Sequence, residues 1–113
     1  MKGFLTTHVL DAARGCPAGG LKIALYKTTM NNRSLVREMV TNSDGRTNSP
    51  ILPEEEFTLG EYELIFHAGD YFKDQAITGF YNKIPIRFKL TENSHYHVPL
   101  LLSPYGYSTY RGS

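Results

Sequence analysis

Short apolar runs with a period of two, each closed within a few residues by Gly, Pro, Asn or Asp, constrain this chain more than any other feature. Between residues 83 and 90, Ile84, Ile86, Phe88 and Leu90 alternate with Lys83, Pro85, Arg87 and Lys89. Tyr96, Val98, Leu100 and Leu102 repeat the pattern, as do Leu21, Ile23 and Leu25. A period of two puts successive side chains on opposite faces of an extended strand, so such runs hide one face and wet the other. Phe4 to Leu10, Leu35 to Thr41, Tyr62 to Phe66 and Gly106 to Arg111 complete the set.

Turn chemistry separates the runs. Met30-Asn31-Asn32-Arg33 reads as a hairpin, and Asn42-Ser43-Asp44-Gly45 is a strong turn signal. Residues 13–20 hold three Gly and one Pro and read as a break. Residues 46–60 read mostly as loop, with a short edge strand near Ile51-Leu52. Only Ala68 to Ala76 differs, as a short helix with Asp70 as its N-cap. Seven or eight short strands and one small helix predict an all-β antiparallel sandwich, with a barrel as the structural alternative. Pro85 and Pro99 call for edge or bulge positions, because proline cannot donate to a ladder.

A chain of 113 residues is one domain, spanning 1–113. Twelve Lys+Arg against eleven Asp+Glu leave +1, which supplies no electrostatic footprint for nucleic acid. No apolar run approaches the ~20 residues that cross a bilayer, so no membrane partner is expected. One cysteine, Cys16, rules out an internal disulfide framework and reads as a passive loop thiol. A soluble protein of a reducing compartment, the cytoplasm, is the expectation.

Strand parity places the polar groups. With Leu5, Thr7 and Val9 inward, Phe4, Thr6, His8 and Leu10 face away. With Tyr96, Val98, Leu100 and Leu102 inward, His95, His97, Pro99 and Leu101 face away. Both outward sets mix histidine with apolar side chains, a poor solvent face that suits an interface or a ligand channel. Imidazoles there work near their ordinary pKa of ~6.5. On parity alone, ordinary surface histidines are the simpler reading. His95-x-His97 puts two imidazoles on one face, but two ligands make no metal site. Asp44-Gly45-Arg46 is first a turn, and it also projects Arg46 as a rigid forked donor beside a sheet end. Tyr71, Phe72, Phe80 and Tyr81 read as core and helix-packing aromatics. No Gly-x-Ser-x-Gly elbow and no phosphate loop is present. Tyr110-Arg111-Gly112-Ser113 ends the sequence on an aromatic and an arginine, which suits a docked end.

Leu5 to Asp11, Thr41 to Arg46, His67 to Phe72 and, above all, His95 to Ser113 resemble the transthyretin-related 5-hydroxyisourate hydrolase family. The likeness runs over essentially the whole chain, and the terminal Tyr-Arg-Gly-Ser separates that enzyme from the hormone carrier transthyretin. The segment Phe80 to Lys83 lacks a proline often seen there. The resemblance implies a transthyretin-like sandwich of two four-stranded sheets, assembled as a homotetramer with its sites between dimers. It implies hydrolytic opening of the six-membered ring of 5-hydroxyisourate to 2-oxo-4-hydroxy-4-carboxy-5-ureidoimidazoline. It assigns His8, Arg46, His97 and Ser113 as catalytic, and Tyr110, Arg111 and Gly112 as substrate-binding. It calls for no cofactor and no metal, and allows periplasm or peroxisome as well as cytoplasm. Two other classes compete: a carrier that binds a small aromatic molecule without turning it over, and a plain adhesion or carbohydrate-binding sandwich.

Overall fold

The computed structural model describes residues 3–112. Ten elements run in order: β1 (Phe4–Asp11), β2 (Cys16–Pro17), β3 (Lys22–Thr29), β4 (Asn32–Val40), a 3-10 turn (Glu54–Glu56), β5 (Gly60–Phe66), α1 (Ala68–Asp74), β6 (Ile84–Leu90), β7 (His95–Ser103) and β8 (Gly106–Thr109). They build two four-stranded sheets, β2-β1-β7-β8 and β4-β3-β5-β6. The sandwich expected from the alternation is therefore what forms. Its neighbouring strands run antiparallel with one exception, since β1 and β7 are parallel.

The inward side chains of the two sheets make one core. Leu5, Val9, Leu100 and Leu102 from one sheet meet Ile23, Leu25, Leu64 and Phe66 from the other, all fully buried. Each such aliphatic side chain contributes about 1.5–3 kcal/mol relative to exposure. Polar groups that border this core are bonded. Thr7 Oγ1 donates to the Val98 carbonyl at 2.7 Å, and Tyr71 Oη donates to Asp11 Oδ2 at 2.7 Å. The second bond ties α1 to the end of β1.

Several local expectations needed correction. The helix is capped at His67, with no side-chain cap bond, so Asp70 lies in its first turn instead of before it. There its charge complements the helix dipole. The break at 13–20 hides the two-residue strand β2, where Pro17 pairs with Leu10. Tyr71 and Phe72 are buried, whereas Phe80 is 72% exposed and Tyr81 37% exposed. The latter two follow the helix in a loop and meet each other edge-on at the surface, where Tyr81 also meets Tyr107 edge-on. Pro85 does sit on an edge strand, β6. Pro99 sits on β7, inside its sheet. The strand tolerates it because pairing with β8 begins only at Leu100–Thr109, so the missing N–H falls just past the end of that ladder. Leu52 forms an isolated bridge to Leu5 where an edge strand was expected. Among the described residues no helix is long and apolar enough to cross a membrane.

Candidate functional site

The parallel register of β1 and β7 sets the outward face. Phe4 lies opposite His95, Thr6 opposite His97, His8 opposite Pro99 and Leu10 opposite Leu101. Parity had put these residues on one side of two strands; the register makes them neighbours. Phe4 stacks flat on His95, ring centroids 4.1 Å apart. His8 and His97 lie near-parallel with centroids 5.7 Å apart. Thr6 Oγ1 is 2.7 Å from His97 Nδ1.

Arg46 reaches this pair through the turn before it. Asn42 Oδ1 accepts from the backbone N–H of Asp44 at 2.9 Å and of Arg46 at 3.2 Å, an Asx-type closure. Gly45 has φ +73°, and a Cβ there would sit 2.4 Å from the Val9 carbonyl oxygen, so only glycine fits. The Val9 N–H donates to the Gly45 carbonyl at 2.8 Å, and Arg46 bridges backbone-to-backbone with His8. The turn thus delivers a guanidinium beside His8. Among the described residues Arg46 has no carboxylate partner.

The end of the chain comes to the same place by backbone. The Gly112 N–H donates to the His97 carbonyl at 2.7 Å. A Cβ at Gly112 would lie 2.8 Å from His97 Cδ2, so glycine allows the tail to lie against the ring. Tyr110 and Arg111 go elsewhere. The Arg111 guanidinium sits 4.3 Å from the centroid of the inward-facing Tyr96, and both residues line a groove between the sheets with Ile86 and Phe88. Ser113 lies outside the described residues. The single chain therefore brings His8, Arg46, His97 and Gly112 together, and turns the side chains of Tyr110 and Arg111 away from them.

Electrostatics favour neutral imidazoles. Burial lowers the His8 pKa below its ordinary value, and Arg46 lowers it further. Burial also lowers His97, followed by His8, Arg46 and His95. His8 Nδ1 is buried without a hydrogen-bond partner among the described residues. A lone-pair nitrogen beside a cation, with no carboxylate among the described residues to absorb either, suits general-base chemistry with stabilisation of a growing negative charge. Thr6 was placed on this face by parity without a role. The signal that finds it is the parallel register, which alternation alone does not encode.

Two four-stranded sheets with one short helix, a parallel β1–β7 pair and a histidine–arginine outer face define a transthyretin-like sandwich. The model of the HIUase/Transthyretin family matches residues 5–112, and the chain belongs to that family. It is 55% identical to 5-hydroxyisourate hydrolase 2 of Rhizobium meliloti over 116 aligned positions, covering 98% of this chain and 97% of the relative. Among solved structures, (S)-allantoin synthase superposes with a TM-score of 0.91 at 45% identity; 99% of this chain matches 44% of that longer one. Sea bream transthyretin in complex with thyroxine superposes with a TM-score of 0.89 at 28% identity, covering 96% of this chain and 93% of the carrier.

Proposed function

We propose that this chain is a hydrolase that opens the six-membered ring of 5-hydroxyisourate at an acyl C–N bond, giving the carboxy-ureidoimidazoline product. His8 takes a proton from the attacking water. Arg46 stabilises the oxygen of the attacked carbonyl as negative charge grows on it. His97 takes that proton over from His8 and returns it as the ring nitrogen leaves. Gly112 positions the tail, Ser113 completes the pocket when a second dimer is docked on this face, and Tyr110 and Arg111 brace the tail from the groove at Tyr96. In this reading the protein is a homotetramer of the cytoplasm, with two copies meeting over each site.

One observation carries the reading: a stacked pair of imidazoles beside a guanidinium, on a face with no carboxylate among the described residues. The carrier alternative, favoured by the likeness to a thyroxine-binding transthyretin, needs shape and apolar surface but neither a base nor a charge-stabilising cation. Freshly prepared 5-hydroxyisourate followed by its near-ultraviolet absorbance separates them. The parent protein should speed the decay well beyond the spontaneous rate. His8→Asn and His97→Asn should each lower that gain by ~100-fold, the scale of a lost general base. Parent-like rates in both variants would refute the enzyme and leave the carrier.

A further inference from the structure

Thr6 is the polar junction of the histidine face. Its Oγ1 lies 2.7 Å from His97 Nδ1 and 2.7 Å from His95 Nε2, with the Tyr96 carbonyl more distant at 3.5 Å. A hydroxyl has one proton to give and two lone pairs to receive with. With its proton turned to the Tyr96 carbonyl, Thr6 accepts from both imidazoles and carries no proton between them. Two other arrangements satisfy both short bonds and let a proton cross, with Thr6 donating to one imidazole while the other donates to it. In the first, Thr6 donates to His95 Nε2, His97 Nδ1–H donates to Thr6, and His97 Nε2 is a free base. In the second, Thr6 donates to His97 Nδ1, His95 Nε2–H donates to Thr6, and His97 carries its proton on Nε2.

We propose that Thr6 is a positioning residue that joins half-buried His97 to exposed His95 as a proton path between the site and solvent. The inference rests on the hydrolase reading. When His97 Nε2 takes a proton, its Nδ1 proton passes to Thr6 Oγ1, and the Thr6 proton passes to His95 Nε2. His95 then releases its Nδ1 proton to water. Run in reverse, with His97 Nε2–H protonating the leaving nitrogen, the path resets all three groups. No bond other than N–H and O–H is made or broken, and the positive charge moves from a crowded position to an open one. Crowding is physical: His97 is half-buried, with His8 stacked near it and both imidazoles acted on by Arg46. His95 is exposed, and the flat stack on Phe4 holds its ring where Nε2 meets Thr6.

Thr6→Val keeps the size and branching of the side chain and removes the hydroxyl. It should lower kcat by about tenfold or more while KM stays within about twofold. Added imidazole, a diffusible proton carrier, should restore much of the loss, and Thr6→Ser should behave as the parent. His95→Phe keeps the stack on Phe4 without ring nitrogens, and should show the same loss and the same rescue. Nitrogen NMR of the histidine rings supplies an arm that needs no turnover: titrating His95 should shift the His97 tautomer in the parent and not in Thr6→Val. Parent-like kcat in Thr6→Val, or a loss that imidazole cannot restore and that Thr6→Ser shares, would overturn the path. If the parent itself fails to hydrolyse 5-hydroxyisourate, the functional reading fails, and independent His95 and His97 titrations in the parent would still decide against the coupling.

Discussion

The outer faces of the two sheets are built by the same alternation and end in opposite chemistry. On the sheet β4-β3-β5-β6 the outward charges find one another. Glu63 is clamped by Arg33 at 2.5 Å and Arg87 at 2.9 Å, and Lys22 meets Glu38 at 3.4 Å. On the sheet β2-β1-β7-β8, β1 and β7 turn histidines, threonine and apolar groups outward, and no carboxylate stands among them. The first face pairs its one buried carboxylate, Glu63, within one chain. Among the described residues the second leaves Arg46 and the His8 ring nitrogen with bonds to make, which a substrate or a second copy can satisfy. Changes on the histidine face should therefore alter rate more than stability, and changes on the charged face the reverse.

Arg46→Gln tests the first half hardest. Loss of one oxyanion-stabilising donor costs on the order of 10²–10³ in kcat, and the melting temperature should hardly move, because Arg46 is exposed and forms no ion pair among the described residues. The pH profile sharpens it. Burial first, and Arg46 after it, hold His8 below the ordinary range, so its base form persists into mild acid. The acid limb of kcat/KM in the parent should lie below pH ~6.5, and Arg46→Gln should move it upward. The linkage has a fixed sign. With depressed folded pKa values, the unfolded chain binds protons first, so the histidine contribution to stability is complete above ~6.5 and falls as the solution is acidified. A limb that stays in place when the guanidinium is removed would show that burial alone sets His8.

Gly112→Ala should act more mildly on the same face. The added Cβ would stand 2.8 Å from His97 Cδ2, so the tail must lift and its 2.7 Å bond to the His97 carbonyl must weaken. A displacement of this size should cost about tenfold in kcat/KM, with the sandwich core untouched. Equal rates in the two proteins would remove the tail from the site.

How much of this was legible in the sequence divides along physical lines. Alternation is local, so the strands and the outward placement of His8 and His97 could be read from neighbours in the chain. The Asp-Gly turn is also local, which is why Arg46 was visible as a projecting cation. Pairing between β1 and β7 joins residues about ninety positions apart, and nothing local distinguishes a parallel from an antiparallel partner; the contact of Thr6 with His97 was hidden for that reason. The apolar character of Phe80 and Tyr81 pointed inward, yet in a loop beyond the helix end they lie at the surface, because burial there depends on what the loop packs against. The tail was read as one unit from the family likeness. Its backbone at Gly112 docks on His97, while the side chain of Arg111 follows the aromatic face of Tyr96.

Glu63→Gln probes the other half of the contrast and should have the smallest effect on function. Burial pushes the Glu63 carboxyl upward, but hydrogen bonds from Arg87 and Arg33 outweigh it and hold the group below its ordinary 4.5. An amide in its place offers one acceptor oxygen to two guanidinium groups and sets its own N–H donors against one of them. The side chains of Arg33 and Arg87 are 50% and 75% exposed, so solvent takes up much of the lost attraction. A loss of about 1–2 kcal/mol in unfolding free energy follows, readable by denaturant titration at neutral pH. Because the folded carboxyl titrates low, its contribution is present above pH ~4.5 and disappears in stronger acid, so the gap between parent and variant should close there. The rate on 5-hydroxyisourate should stay at the parent value. A drop in kcat without a drop in stability would mean that the charged sheet reaches the histidines through the core, and the two faces would have to be treated as one coupled system.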